Sequence, residues 1–338
     1  MIKEALNKII SYTDLTMSEA QEVMGEIMRG EATPAQIGSF LTGLRMKGET
    51  VEEIAGCVMG MRENAIAVKT KSNLLVDTCG TGGDSSGTFN ISTTVAFVAA
   101  GAGLAVAKHG NRSISSNCGS ADLLEALGVN IRLNSDQIAS CIDEIGIGFM
   151  FAPLLHPAMK HAMGPRIEMG TRTIFNILGP LSNPAGATRQ LLGVYNGNLT
   201  EPMAKVLLTL GSEEAFVVHG ANGLDELSTT GINMVSRLHN GKVETYSLDP
   251  RDLGLPMVKP ETLIGGKSKD NVKITQSLLK GEKGPKRDIV LLNAAAVLVL
   301  GNKAADLNEG LTLAAESIDS GYAFKKLTAL IEMSRSFH

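Results

Sequence analysis

The stretch Leu74-Leu75-Val76-Asp77-Thr78-Cys79-Gly80-Thr81-Gly82-Gly83-Asp84-Ser85-Ser86-Gly87-Thr88-Phe89-Asn90-Ile91 decides the fold class. Leu74-Leu75-Val76 is a short apolar run of the kind buried in a sheet, and it leads directly into a glycine-rich turn. Residues 91–100, mostly apolar or small, then read as a helix. Strand, glycine turn and helix form the first half of a βαβ unit. Downstream the alternation recurs, with strand-like runs at 104–107, 149–152, 191–195 and 215–219. Helices at 122–127 and 138–145 are stopped by Gly128 and Gly146. The pattern predicts an α/β fold with a mostly parallel central sheet. One sheet edge should be antiparallel, because runs at 234–238 and 243–247 flank Asn240-Gly241, a two-residue hairpin signal. From 270 to 338 the pattern is mostly helical.

Upstream, the first seventy residues read as a separate helical unit. Ser18 with Gln21, Thr33 with Gln36, and Thr50 with Glu53 each have capping-box spacing, and Pro34 stands at a first helical position. Apolar residues follow at helical period, among them Val23, Met24, Ile27, Phe40, Leu41, Leu44, Ile54 and Val58.

Composition narrows the function classes. The 338 residues carry 31 Lys and Arg against 35 Asp and Glu, a net charge of −4 that gives no general attraction to polyanions and disfavours a nucleic-acid binder. The longest apolar stretches are too short or too interrupted to span a bilayer, and residues 1–10 do not read as a signal peptide. Cys57, Cys79, Cys118 and Cys141 lack metal-ligand spacing and read as reduced thiols of a cytoplasmic protein. There is no Trp, so a binding site must be made from backbone and polar groups more than from aromatic walls.

Three segments carry chemistry. The glycine turn between a strand and a helix offers successive backbone N–H groups and a helix N-terminus, an anion site suited to phosphate; a tight loop with no ligand is the bland alternative. It is neither a Walker loop nor a dinucleotide fingerprint. The second segment, Lys108-His109-Gly110-Asn111-Arg112-Ser113-Ile114-Ser115-Ser116, ends a strand with two cations, an amide and several hydroxyls, as a second phosphate or a diphosphate requires. Both loops follow strands, so they should meet at the carboxyl edge of the sheet. The third, Asp225-Glu226 on a glycine-containing loop after the 215–219 strand, supplies hard oxygen ligands for Mg²⁺ against substrate phosphates. Arg166 is a candidate for a substrate carboxylate, or else caps a helix or pairs with Glu168.

These segments, with Asn90-Ile91-Ser92-Thr93, Gly119-Ser120-Ala121-Asp122, Arg166 and Phe175-Asn176-Ile177-Leu178-Gly179-Pro180-Leu181-Ser182-Asn183-Pro184, occur in one order that closely resembles the anthranilate phosphoribosyltransferase family. The resemblance extends over essentially the whole chain. It implies an enzyme of tryptophan biosynthesis that transfers the phosphoribosyl group of phosphoribosyl diphosphate (PRPP) to the amino group of anthranilate, with Mg²⁺ as cofactor and a homodimer as the usual assembly. It implies a small helical domain, residues 1–70 completed by a middle segment near 165–190, beside a large α/β domain of 71–164 and 191–338. By the resemblance, PRPP is surrounded by Gly80, Gly83, Asp84, Thr88, Asn90, Ile91, Ser92, Thr93, Lys108 through Ser116, and Ser120. Mg²⁺ falls to Ser92, Asp225 and Glu226, and anthranilate to Gly80, Asn111 and Arg166, with His109 and Pro180 near its path. No general base is implied; Lys108, Asn111 and Arg166 orient reactants and stabilise charge. One departure bears on diphosphate binding: Asn117 and Cys118 stand where the family often has a basic residue and a Ser. The competing readings are a pyrimidine nucleoside phosphorylase, whose signature loops differ from Lys108-His109-Gly110-Asn111-Arg112, and a non-catalytic nucleic-acid-binding relative, which should be basic and lack the paired carboxylates.

Overall fold

Four helices open the chain: α1 (Ile2–Ile10), α2 (Met17–Met28), α3 (Pro34–Lys47) and α4 (Val51–Glu63). The computed structural model describes residues 1–84, 86–113 and 117–337. The capping boxes expected at Thr33 and Thr50 form, each with the hydroxyl accepting from the N–H three residues on. The one expected at Ser18 does not. Helix α2 starts two residues earlier, with Thr16 as its cap: the Thr16 hydroxyl accepts from the Glu19 N–H at 3.3 Å and the Glu19 carboxylate accepts from the Thr16 N–H at 3.0 Å. Gln21 points to α4 instead, donating to Glu63 at 2.6 Å. Both spacings satisfied the rule, and burial of Leu15 just before Thr16 selects between them by fixing where the chain enters the helix.

Helices α2 and α4 approach closely because α4 is smooth where they touch. A Cβ on Gly56 would overlap the Met17 carbonyl oxygen, and one on Gly60 would stand 2.6 Å from the Gln21 carbonyl oxygen. Beneath α3, Glu53 is fully buried and spends its carboxylate on the Leu15 and Thr50 N–H groups and on the Lys47 ammonium at 2.9 Å.

The chain then enters the sheet region through β1 (Leu75–Gly80), α5 (Ile91–Gly101), β2 (Ala105–Gly110), α6 (Ser120–Leu127), α7 (Ser135–Ile145) and β3 (Ile147–Phe151). Three helices follow, α8 (Ala152–Leu155), α9 (Lys160–Met169) and α10 (Phe175–Leu181), before β4 (Arg189–Gly193), α11 (Thr200–Thr209), β5 (Glu214–His219), β6 (Asn233–His239) and β7 (Lys242–Leu248). The end of the chain is α12 (Ser268–Leu279), α13 (Pro285–Leu300), α14 (Leu307–Asp319) and α15 (Tyr322–Ser336). The sheet order is β3-β2-β1-β4-β5-β6-β7, parallel from β3 to β5 and antiparallel at β5–β6 and β6–β7. The expected hairpin turn is present, with φ of 50° at Asn240 and 72° at Gly241.

Two strands run further than their apolar residues suggest. β1 continues through Asp77, Thr78 and Cys79 to Gly80, and β2 through Lys108 and His109 to Gly110. Lys108 and His109 are therefore buried strand residues, where a loop was expected, because pairing with Phe149 and Met150 of β3 keeps the ladder going regardless of side-chain polarity.

Alternate residues serve opposite faces. Leu191, Phe216 and Val218 face a core with α5, α13 and α15, while Leu192, Val217 and Ala215 face α11 and the core that contains α1–α4. Ala162, Ile174, Phe175, Ile177, Leu178 and Leu181 of the α9–α10 segment join that second core. Among the described residues, no helix is long and apolar enough to cross a membrane.

Gly60→Ala should lower stability by about 1–3 kcal/mol through overpacking against α2. Gly38→Ala, where a Cβ meets open space, should be neutral or stabilising. Urea denaturation of the two variants checks this, and equal midpoints would rule out the α2–α4 contact as the tight one.

Candidate active site

The site is set by topology. From β1 the sheet grows through β2 to β3 in one direction, and from β4 to β7 in the other, so adjacent parallel strands β1 and β4 flank a switch point. A crevice outside the carboxyl ends of the strands is where such sheets bind ligands. Here both strands end on glycine, with Gly80 and Gly193 in register. A Cβ on Gly80 would overlap the Asp225 carboxylate, and one on Gly193 the Asp225 carbonyl oxygen. The two glycines thus make room for the loop after β5 to cross the switch point. Asp225 accepts the Gly82 N–H at 2.7 Å, and Glu226 accepts the Ser92 N–H at 3.1 Å at the head of α5. Buried Leu224 and Leu227 staple the pair, and Asn293 of α13 bonds the Leu227 N–H and carbonyl at 2.9 and 2.7 Å.

The second loop meets the first, as expected. Lys108, 2% exposed, donates to the Thr78 carbonyl at 2.5 Å and lies 3.4 Å from the Ser92 hydroxyl. Burial pulls its pKa down, opposed by the charge of Asp77 on the neighbouring strand. Asp77 itself is fully buried, accepting from the Thr78 and His109 N–H groups and from Asn183 at 2.7 Å. Asn90 ties the two loops together by donating to the Cys118 carbonyl at 2.9 Å. Among the described residues, its Oδ1 and the buried Thr93 hydroxyl have no hydrogen-bond partner. Ser120 opens α6, and a Cβ on Gly110 would stand 3.1 Å from the Ser120 Cβ. Arg112 pairs with Asp122 at 2.8 Å and Glu125 at 2.9 Å. Asn111 is exposed, and its amide oxygen accepts the Arg112 N–H. Thr88 lies further out, bridged to Ile264. Ile114, Ser115 and Ser116, also expected at the phosphate site, lie outside the described residues.

Arg166 sits in the last turn of α9, its guanidinium 4.9 Å above the Phe175 ring, and among the described residues it has no ion-pair partner. The alternative pairing with Glu168 is absent there. Burial lowers its pKa. His109 and His156 lie with ring centroids 5.1 Å apart, both neutral because burial pulls them down to about 3 and about 4.

Electrostatically the carboxylates are crowded. Burial, then the charge of Asp84, pushes Asp225 up to about 7, and burial, then Asp225, pushes Glu226 up to about 8. Crowded carboxylates with raised pKa values are what a divalent cation relieves. Among the described residues no three His, Cys, Asp or Glu side chains stand close enough to enclose a metal. Two carboxylates beside a hydroxyl fit Mg²⁺, which keeps waters and takes substrate phosphates as ligands.

Sequence reasoning did not single out Asp77, His156, Arg172 or Gln190. Asp77 had a signal, a lone charge in an apolar strand run. Arg172, in the 170–174 linker, donates to the Gly83 carbonyl, a contact no local pattern announces.

Comparison with known proteins is consistent along the whole chain. The glycosyl transferase family helical bundle domain matches residues 3–65 and the a/b domain of that family residues 72–324. The anthranilate phosphoribosyltransferase of Acetivibrio thermocellus is 54% identical over 337 residues, covering 100% of this chain and 98% of that protein. The chain belongs to the anthranilate phosphoribosyltransferase family. Its fold matches the family's crystal structure from Thermus thermophilus with a TM-score of 0.94 at 44% identity, covering 98% of this chain and 99% of that one. The Saccharomyces cerevisiae family member, solved in complex with PRPP and Mg, matches with a TM-score of 0.91 at 29% identity, covering 99% and 98%.

Carboxylates whose folded pKa is raised bind more protons in the folded than in the unfolded chain. Their contribution is complete below the unfolded value and lost as pH rises through about 7 and 8. His109 and His156 act oppositely, but only below their unfolded value near 6.5. In a chelator, the urea midpoint should therefore fall between pH 6.5 and 8.5, and Asp225→Asn should flatten the fall. A flat wild-type profile would refute the crowding.

Proposed function

We propose that the chain transfers the 5-phosphoribosyl group of PRPP to the amino group of anthranilate, forming N-(5-phosphoribosyl)anthranilate and releasing diphosphate, with Mg²⁺ as cofactor. The observation that carries this is the meeting of two anion-cradling loops and a carboxylate pair at the β1–β4 switch point, in a chain 54% identical over its full length to an anthranilate phosphoribosyltransferase. A further Saccharomyces cerevisiae family structure, at 29% identity and TM-score 0.89, holds 4-fluoroanthranilate.

PRPP lies along Gly80, Gly83, Asp84, Thr88, Asn90, Ile91, Ser92, Thr93, Lys108–Ser113 and Ser120. Supporting this, the Asn90 oxygen and Thr93 hydroxyl are buried without partners among the described residues, and the glycine loop has backbone donors and no bulky side chain. Asp225, Glu226 and the Ser92 hydroxyl hold Mg²⁺. When bound, that ion supplies neutralisation of the charge that builds on the departing diphosphate. Lys108 adds a fixed positive charge, and its bond to Thr78 places it beside Ser92. Arg112, at the mouth of the second loop, reaches the diphosphate once it gives up part of its pairing with Asp122 and Glu125.

Anthranilate lies against Gly80, Asn111 and Arg166. A guanidinium packed on Phe175, with no ion-pair partner among the described residues, suits a carboxylate, which it binds through two parallel N–H bonds. The aniline nitrogen is neutral at pH 7 and attacks the ribose carbon as its bond to diphosphate breaks; the nitrogen then loses a proton. No strong base is required. His109 and His156, pulled down to about 3 and about 4 by burial, are too weakly basic to serve as one, and the site acts by orienting two reactants and stabilising charge.

The helical unit of 1–70 with 165–190 and the α/β unit of 71–164 with 191–338 are the two domains between which the substrates meet. The assembly is a homodimer in the cytoplasm; exposed Ile10, Tyr12 and Met46 on the helical unit support a self-association face.

With Mg²⁺ and PRPP, purified protein should extinguish anthranilate fluorescence, and absence of turnover would refute the assignment. Arg166→Ala should raise the KM for anthranilate by roughly tenfold to a hundredfold and leave that for PRPP nearly unchanged. Asp225→Asn combined with Glu226→Gln should raise the Mg²⁺ concentration needed for half-maximal rate; an unaltered Mg²⁺ titration would remove the pair from the metal site.

A further inference from the structure

We propose that Arg172 is a positioning residue that latches the glycine loop in its anion-binding conformation, an inference that rests on the loop's role in holding PRPP. The need for a latch follows from the loop itself. Gly82 and Gly83 have φ of 67° and 75°, and without a Cβ neither resists rotation of the peptides around it. A loop that binds through N–H groups loses its site when those peptides turn over.

Arg172 opposes that rotation at the Gly83–Asp84 peptide. Its guanidinium donates to the Gly83 carbonyl and fills the space beside the glycine, where a Cβ would stand 2.9 Å from Nη2. Because the peptide is planar and trans, pinning the carbonyl toward Arg172 aims the Asp84 N–H the opposite way, where an anion can take it. The guanidinium is itself held, stacked 4.2 Å from the Tyr195 ring centroid. Tyr195 is tied to the same loop, since its N–H donates to the Thr81 hydroxyl at 3.1 Å. On the other side, Arg45 of α3 bonds the Arg172 carbonyl and, at 2.9 Å, the Thr171 hydroxyl, anchoring the latch on the helical unit. The linker that carries it joins α9, with Arg166, to α10, so one short segment serves both substrates.

Calorimetric titration of PRPP with Mg²⁺ into wild type, R172A, R172Q and R172K, alongside steady-state kinetics, tests the latch. R172A should weaken PRPP binding and raise its KM roughly tenfold, the worth of one hydrogen bond from a charged donor, with kcat at saturation and the KM for anthranilate within about twofold of wild type. R172Q, which lacks the charge but keeps an N–H donor, should recover most of the loss. PRPP binding by R172A within about twofold of wild type would overturn the proposal. R172K, whose longer side chain also carries N–H donors, should recover at least as much, and failure of both R172Q and R172K to recover any of the loss would also overturn it. Failure of the functional reading looks different: wild type that binds PRPP and does not consume anthranilate.

Discussion

The crossing of Asp225 over the ends of β1 and β4 is the constraint on which the rest of the site depends. Two parallel strands that feed connections in opposite directions leave a crevice, and here the loop from β5 enters it so closely that only glycine is accommodated at positions 80 and 193. The consequence runs both ways. Asp225 is brought within 2.7 Å of the Gly82 N–H, which shapes the glycine loop, and Glu226 is carried to the head of α5, where it meets Ser92. A side chain at either glycine would lift the carboxylates off the glycine loop and break the Asp225 contact to the Gly82 N–H.

Placing two carboxylates in a crevice is electrostatically costly, and the surrounding charges answer that cost unequally. Lys108 is buried between Asp77 and Glu226 and compensates the interior side. Among the described residues no Lys or Arg is paired with Asp225, which faces Asp84, so the outer side carries the greater crowding of negative charge. Crowding of this kind is what a divalent cation such as Mg²⁺ relieves. Asp77 is central for another reason: through Asn183 and the His109 N–H it joins β1 and β2 to the segment after α10, a buried anchor shared by elements distant in the chain.

Much of this was legible in residues 74–91 and 108–116. The alternation of apolar runs and glycine stops named the fold class, and the Asn240-Gly241 pair placed the antiparallel edge. Boundaries were less legible where polar residues continue a strand. Lys108 and His109 look like loop residues in isolation, and only the β3 ladder beside them makes them buried. The start of α2 was ambiguous between two valid capping boxes, and burial of Leu15 resolved it. Arg172 carried no signal at all, since its partner is a backbone carbonyl 89 residues away.

The amino-acid sequence by itself determined the order of helices and strands and marked the glycine turn, the Lys108 segment and the Asp225-Glu226 pair as candidates for chemistry, because these depend on local periodicity, glycine content and side-chain chemistry. Tertiary structure alone decided that Gly80 and Gly193 lie side by side, that Asp225 crosses both, that Asp77 anchors Asn183, and that Arg172 reaches Gly83. Such relations join residues distant in the chain through close approach and burial, and neither quantity is written in any local pattern.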